Sequence, residues 1–231
     1  MLLRTTFLAA AFAALSATPA SAQNPPALDA VKPCYVAAQE TQREFVTVSG
    51  HDFTPFGYVD LYIDDIAQPG VGDPPQADVY GNLSGAVQAP FVEDGERTFT
   101  LRAAEHDNPA IFATVTSKVT RLSVAQKPAS AATSQRVRFR GRGFTDRTRP
   151  VYMHYVFAGK SKKTTPVGLP TGDCGRFSVR RKQFPFKKSP QVGVWTIQFD
   201  QEAKYNPKAS PRVPLTIKVR RKIKPKSALE R

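Results

Sequence analysis

Two cysteines, three histidines and several basic clusters are the residues of this chain whose types could do chemistry. Cys34 and Cys174 are its only cysteines, and they show no metal-ligand or Cys-x-x-Cys spacing. His51 and His106 could meet at one end of the first half, although we expect loop histidines at the surface. No G-x-S-x-G, H-E-x-x-H or phosphate-binding glycine-rich loop occurs. The sequence therefore predicts no enzyme and no cofactor.

Positive charge is concentrated in the second half of the chain, which has a formal net charge of +14 overall. Residues 23–124 hold six Lys and Arg against fourteen Asp and Glu, whereas residues 125–231 hold twenty-six against five. Three interpretations stay open: the halves attract each other, the basic half binds a polyanion, or the charges form only a solvated surface. The candidate anion-binding residues are those of the dense clusters, Lys160, Lys162, Lys163, Arg180, Arg181, Lys182, Lys187 and Lys188.

The partner expected for such a surface is an anionic polymer of the cell envelope or another envelope protein. Teichoic-type polymers, acidic polysaccharides and anionic lipid head groups all qualify, and extracellular DNA is the one nucleic acid that we consider. Phe184, Phe186 and Tyr205 could stack on bases or sugars, but we expect them in the core or at its edge. The less favoured alternative function is a cell-wall glycan hydrolase, which would need two carboxylates close together. Because the second half holds only five acidic residues, such a cleft would lie in the first half or between the halves. The oligomeric state stays open.

A group of aspartates in the first half is the only candidate for a metal site. Their carboxylates could supply oxygen ligands to Ca²⁺, but the spacing does not match an EF-hand, and we expect no metal. The residues are Asp60, Asp64, Asp65, Asp73 and Asp78.

The N-terminus has the three parts of a secretory signal peptide. Arg4 precedes an apolar run over residues 7–15, and Ala20-Ser21-Ala22 supplies the small residues read by signal peptidase. We assign residues 1–22 to a signal peptide and residues 222–231 to a basic flexible tail. No later stretch is long and apolar enough for a transmembrane helix. We expect a secreted, envelope-associated bacterial protein.

The two halves repeat one another in order. Gly50, Phe53 and Thr54 match Gly141, Phe144 and Thr145 at an offset of 91 residues. Further blocks follow: "YGNLSGAVQAP" matches "CGRFSVRRKQFP", and "ERTFTLRAAEHDNP" matches "GVWTIQFDQEAKYNP". Each half then ends in an alternating run, "ATVTSKVTRLSV" and "PRVPLTIKVRR". Four matching blocks in the same order indicate a tandem duplication, with domains over residues 23–124 and 125–221.

Alternating apolar residues within each half predict β-strands separated by Gly, Pro, Asn and Asp. The chain also holds twenty prolines, which oppose helices. We therefore expect an antiparallel β-sandwich in each half. The predicted core residues are Val48, Phe53, Leu61, Phe99 and Leu101 in the first half and Val137, Phe144, Met153, Trp195 and Ile197 in the second.

The repeated Gly-x-x-Phe segment resembles a known family. We expect the first strand to end at Val48, the chain to turn at Gly50, and Phe53 to pack back under that turn. Residues 46–63 and 137–155 resemble the "GxGF" signature of IPT/TIG-like bacterial immunoglobulin-like domains, as found in secreted proteins of high-GC Gram-positive bacteria. The resemblance implies an all-β fold of two tandem immunoglobulin-like sandwiches. It implies a spacer, an adhesion unit or a binding platform, without choosing among them.

A Cys34–Cys174 disulfide would join the two halves. A disulfide requires Cα atoms within about 7 Å, so the bond would place the acidic half against the basic half. Export to an oxidising compartment and the opposite charges favour the bond, whereas a simple end-to-end arrangement opposes it. We expect the bond, and leave unpaired thiols or intermolecular pairing as the alternatives.

Overall fold

The computed structural model describes residues 24–69 and 74–220. The expected signal peptide and basic tail lie outside these residues. Every regular element in the described part is a strand. The described residues include no helix that is long and apolar enough to cross a membrane.

The first nine strands form one sandwich. They are β1 (Ala27–Leu28), β2 (Cys34–Gln39), β3 (Gln42–Arg43), β4 (Phe45–His51), β5 (Val59–Ile63), β6 (Ile66–Ala67), β7 (Leu83–Gln88), β8 (Glu96–Glu105) and β9 (Phe112–Arg121). One sheet has the order β1-β4-β7 and the other the order β3-β2-β9-β8-β5-β6.

The last seven strands form the second sandwich. They are β10 (Ser123–Lys127), β11 (Arg136–Arg142), β12 (Val151–Phe157), β13 (Lys160–Gly168), β14 (Phe177–Lys182), β15 (Gly193–Asp200) and β16 (Arg212–Val219). The sheets have the orders β10-β11-β14 and β13-β12-β15-β16. The border expected after residue 124 falls inside β10, which pairs with β11 along its whole length.

Strand order identifies both sandwiches as immunoglobulin-like. In each, one sheet contains the equivalents of strands A, B and E, and the other contains those of C′, C, F and G. In the first sandwich the chain also crosses between the sheets, because β1 pairs with β4 in one sheet and β2 pairs in parallel with β9 in the other. All other strand pairs are antiparallel. The predicted all-β fold with two tandem immunoglobulin-like sandwiches is confirmed.

Each sandwich has its own hydrophobic core. All ten residues predicted as core are buried, five in each cluster. Trp195 lies in the second cluster, where its Nε1 donates a hydrogen bond to the carbonyl of Gln191 at 2.9 Å. The alternating strand pattern therefore identified the inward-facing side chains correctly in both halves.

The turn expected at Gly50 is wrong. Strand β4 continues to His51, and Gly50 pairs with Leu28 on one side and Leu83 on the other. A Cβ at Gly50 would lie 2.5 Å from the carbonyl oxygen of Ala27, so glycine is needed here for close packing. The equivalent Gly141 lies inside β11 for a similar reason, since a Cβ would lie 2.2 Å from the Phe177 ring.

Gly81 and Gly175 are among the glycines that have a left-handed backbone, with φ angles of +80° and +56°. The carbonyl of Gly81 accepts a hydrogen bond from the backbone N–H of Phe53 at 3.1 Å, and that of Gly175 accepts one from Phe144 at 3.2 Å. This contact holds each buried phenylalanine in place, and it is the same in the two sandwiches.

Candidate anion-binding surface

The predicted basic residues lie on two edge strands and on the loop after the second. Strand β13 is an edge of the four-stranded sheet, and β14 is an edge of the three-stranded sheet. On β13 the residues are Lys160, Lys162 and Lys163, on β14 they are Arg180, Arg181 and Lys182, and in the loop they are Lys187 and Lys188.

Two hydrogen bonds link these segments along one side of the sandwich. Arg181 donates from Nη2 to the carbonyl of Pro166 at 3.1 Å, and Lys163 donates from Nζ to the carbonyl of Pro185 at 2.9 Å. Arg181 is half-buried between these strands, whereas Arg180 and Lys182 lie with their side chains toward the outer face of their sheet. Alternation along β14 thus separates residues that are adjacent in the sequence.

In the second sandwich, the outer face of the three-stranded sheet β10-β11-β14 carries more positive charge than the basic clusters predicted from the sequence. A seventh cation of this face, Arg142, lies 3.4 Å from Asp94 of the first sandwich. The other six are Lys127, Arg136, Arg138, Arg140, Arg180 and Lys182. We call these six residues the basic face. In the register of the sheet, Lys127 lies opposite Arg138, which in turn lies opposite Arg180, and Arg136 lies opposite Lys182. None of the strands β10, β11 and β14 contains a carboxylate side chain.

Such pairing opposes folding, because like charges directly across a strand pair repel each other and destabilise the sheet. None of the ion pairs among the described residues involves a residue of the basic face. The sheet therefore holds these charges without compensation from the nearby protein. An anion bound from solution would supply that compensation.

The geometry of the basic face suits a linear polyanion. Alternate residues along a strand are about 6.8 Å apart, and facing residues of neighbouring strands are about 5 Å apart. Arginine binds phosphate, sulfate and carboxylate groups through a planar fork of donors. Because the face is an open sheet surface, a ligand would contact it at repeated points along its length.

Four of these six cations were missed by sequence reasoning, which searched for consecutive charges. The signal was present in "RVRFRGR", where Arg136, Arg138 and Arg140 alternate with the buried Val137 and Phe139. A search for basic residues with the two-residue period of a strand would have placed three arginines on one outward face.

The carboxylates of the second sandwich are engaged elsewhere. Asp146 accepts hydrogen bonds from Thr148 and pairs with Arg149, and these contacts lower its pKa to about 2. Asp173 pairs with Lys118 of the first sandwich at 3.1 Å. Both therefore neutralise cations outside the basic face.

His154 belongs to a buried polar network that sequence reasoning did not anticipate. Its Nε2 lies 3.1 Å from Asp200 Oδ1 and 3.0 Å from the Glu202 carbonyl, and its Nδ1 lies 2.9 Å from Thr164 Oγ1. The His154 and Asp200 side chains are both fully buried. Since every polar atom of the imidazole has a partner, the network fastens the β15–β16 loop to the sheet.

The two remaining histidines and the candidate Ca²⁺ ligands form separate local contacts. His51 pairs with Asp52 and His106 with Asp60, at 2.7 and 2.9 Å, and the Asp60 contact raises the pKa of His106. Asp78 accepts hydrogen bonds from Asn82 and Tyr80, which lower its pKa. Among the described residues, which exclude Asp73, no group of three ligands could hold a metal ion.

A disulfide and several ion pairs join the two sandwiches. Cys34 is bonded to Cys174, with Cα atoms 5.2 Å apart. Glu96 accepts a hydrogen bond from Arg176 Nε at 3.1 Å and raises the pKa of that guanidinium. Asp94 lies 3.4 Å from Arg142. Together with the Lys118–Asp173 pair, these contacts form the junction. They confirm the expected disulfide and show that some opposite charges of the two halves meet.

A groove of about 730 Å³ runs beside the junction, between the β2–β3 edge and the start of β16. Two of its charged side chains are already occupied. Arg43 donates hydrogen bonds to Ala89 and Gln88, and Glu44 pairs with Lys32. The groove therefore offers less charge to a ligand than the basic face does.

Neither a scan against protein-family models nor a search of curated proteins finds a match. A search of solved structures finds bovine butyrophilin, with 8% identity and a TM-score of 0.28, covering 86% of this chain and all of that one. It also finds a tandem pair of immunoglobulin domains from titin, with 11% identity and a TM-score of 0.25, covering 84% and 95%. Similarity at this level adds nothing to the fold assignment, which rests on strand order.

Proposed function

We propose that this protein is an exported, non-enzymatic immunoglobulin-like module that binds an anionic polymer of the bacterial cell envelope on the basic face. The observation that carries the proposal is the set of like-charged pairs across β10, β11 and β14. Their repulsion costs folding free energy, and a polyanion bound along the face would offset it.

Other features support the location and class of the protein. The signal-type leader and the Cys34–Cys174 disulfide fit an oxidising compartment outside the cytoplasm. The resemblance to IPT/TIG-like modules of high-GC Gram-positive bacteria fits a binding platform at the cell surface. Teichoic-type polymers and acidic polysaccharides are the ligands that combine a repeated negative charge with that location.

Titration with a polyphosphate, with dextran sulfate and with neutral dextran tests the proposal. We expect both polyanions to bind at low salt and neutral dextran to leave the protein unbound. If about four anionic groups are contacted, the logarithm of the affinity should fall with a slope of about −3 against the logarithm of salt concentration. Affinity for neutral dextran would instead indicate recognition of the sugar itself.

Paired charge removals locate the site. Arg138→Gln with Arg180→Gln should weaken polyanion binding at least about tenfold and reduce the salt slope by about 0.7 for each lost contact. Lys204→Gln with Lys208→Gln is the matched control, because it removes the same charge from the exposed β15–β16 loop. Equal losses in the two variants would show that only net charge matters. No binding by the native protein would favour a purely structural spacer.

A further inference from the structure

The corresponding ends of the two sandwiches have different neighbours. In the second sandwich, the end formed by the β11–β12, β13–β14 and β15–β16 loops meets the first sandwich through Cys174 and Arg176. The equivalent end of the first sandwich includes the β4–β5 loop, residues 74–82 before β7 and the β8–β9 loop, and we call these segments the head. Cys34 pairs with Lys118, about 20 Å along β9 from the head. The head therefore faces away from the junction.

The head exposes a cluster of apolar side chains. Tyr80 is 81% exposed and Phe56 is 63% exposed, and Tyr58 and Val79 are each more than half exposed. A hydrogen bond from the Phe56 N–H to the Asp78 carbonyl at 3.4 Å connects the two loops that carry them. Tyr80 occupies the repeat position of Cys174, which lies in the junction. Exposed apolar clusters of this kind mark interaction surfaces.

The backbone of Phe56 is also unusual. Its φ angle is +61°, in the left-handed region that a bulky side chain rarely adopts. The ring lies in solvent rather than in the core. Such strain is found where a side chain is held in place for an interaction.

A cavity lined in part by the β4–β5 and β8–β9 loops of the head carries carboxylates that could bind a cation. It has a volume of about 260 Å³ and is lined by Asp52, Thr54, Glu105 and Phe112, among others. Glu105 is only 8% exposed. Its Oε1 accepts a hydrogen bond from the Thr54 N–H at 2.8 Å, and its carboxylate shares the cavity lining with that of Asp52. Two carboxylates in one lining favour a cation, and a lysine ammonium could bind there through charge-assisted hydrogen bonds.

The opposite end of the second sandwich, which we call the tail end, is complementary to the head. Its β14–β15 loop carries Lys187 and Lys188 and contains no carboxylate. Val192 and Val194 beside them are both more than half exposed. The described part of the head loops contains several aspartates but no Lys or Arg. One molecule therefore carries an acidic apolar surface at one end and a basic apolar surface at the other.

We infer that the head of one molecule binds the tail end of a second copy, with Lys187 or Lys188 of that copy entering the Glu105 cavity. Within one chain, the junction is already a contact of this kind. The end of the second sandwich that corresponds to the head meets the end of the first sandwich that corresponds to the tail end, and ion pairs connect them. Because the two surfaces differ, the contact is heterologous. Repetition of it gives an open chain rather than a closed dimer.

Sedimentation velocity over about a hundredfold range of protein concentration tests this assembly. The native protein should form species that keep growing with concentration and that shrink as salt rises. Phe56→Ser with Tyr80→Ser disables the head, and Lys187→Glu with Lys188→Glu disables the tail end. Each of these variants alone should remain monomeric. Their mixture should form a dimer of one molecule of each, since one functional head and one functional tail end remain.

Two further variants separate the assembly from general effects on folding. Glu105→Gln keeps the acceptor for Thr54 and should weaken association at least about tenfold with little change in thermal unfolding. Phe45→Ser removes a half-exposed ring from a sheet face of the first sandwich and should leave association unchanged. A native protein that stays monomeric throughout, a monomeric mixture of the two disabled variants, or head binding only to a glycan would each overturn the inference.

Discussion

The outer face of the three-stranded sheet is neutral in the first sandwich and basic in the second, although both sheets have the same register. In the first the facing pairs are Phe45 with Gln88, Thr47 with Ala86 and Ser49 with Ser84, and in the second they are Arg136 with Lys182, Arg138 with Arg180 and Arg140 with Ser178. Five of the six matched positions therefore exchange an uncharged residue for a cation.

The two outer faces differ because the fold leaves the type of residue there free to vary. The two cores are alike because the fold requires apolar residues at inward positions. Inward positions of the same strands stay apolar in both copies, as in Val46 and Val137 or Val48 and Phe139. Outward positions have no such packing constraint, so their charge is not explained by the sandwich itself. A basic outer face is an addition to the shared frame, which is why we assign it a binding role.

The two sandwiches have separate cores, and the disulfide holds them together. For a closed loop with a sequence separation of 140 residues, the chain-entropy model gives up to about 4–5 kcal/mol of stabilisation. Cys34→Ser with Cys174→Ser should therefore lower stability and uncouple the two unfolding transitions. Trp195, the only tryptophan, reports on the second sandwich by fluorescence, whereas circular dichroism reports on both.

The native protein supplies the control for that experiment. Denatured without reductant, it should show no thiol that reacts with a labelling reagent, and its two signals should change together in urea. Coincident transitions at an unchanged midpoint in the serine variant would contradict a stabilising role for the bond and would show that the two cores unfold as one unit.

A second experiment asks whether the glycine beside the buried phenylalanine is needed equally in the two sandwiches. Alanine at Gly81 would place a Cβ 2.4 Å from the Phe53 carbonyl oxygen, and alanine at Gly175 would place one 2.0 Å from that of Phe144. We expect each variant to lose roughly 2–4 kcal/mol, because the cost of a left-handed alanine adds to overpacking. Chemical unfolding measures both losses.

Gly159 provides the matched control, since it has a φ of +74° and a Cβ added there would meet no atom within 4 Å. Gly159→Ala should cost only about 1–2 kcal/mol, the conformational part alone. A loss at Gly81 or Gly175 no larger than that at Gly159 would show that the backbone moves to relieve the contact and that the turn is not a rigid part of the frame.

Most of the fold could be predicted from the sequence because strand periodicity reports burial directly. Phe53, Phe99 and Trp195 lie on inward positions of a repeated pattern, and a duplicated pattern supplies the same information twice. The end of β4 could not be placed in this way. Gly50 resembles a turn residue in the sequence, whereas its role depends on the approach of Ala27, which only the folded chain shows.

The candidate sites were less accessible to sequence reasoning because they depend on pairing between strands. Arg138 and Arg180 are far apart in the sequence and become neighbours only through the β11–β14 register. The Glu105 cavity also depends on Asp52, from a different loop. The Cys34–Cys174 bond was predicted correctly because a chain with only two cysteines and a signal-type leader leaves few ways to pair them.

The most direct test of the difference between the two outer faces exchanges residues between them, and its expected effects are the smallest. Arg138→Thr with Arg180→Ala gives the second sandwich the residues of the first, and removal of the repulsion between these two arginines should raise its stability by about 0.2–1 kcal/mol. Thr47→Arg with Ala86→Arg should lower the stability of the first sandwich by a similar amount. Urea unfolding at low salt measures both, and added salt should diminish both by screening. Ser49→Thr with Ser84→Thr, an uncharged exchange on the same face, controls for β-propensity. If the second sandwich without these two arginines is less stable than the native one, their side chains stabilise the sheet by packing, and the charge of the face would no longer require a ligand to explain it.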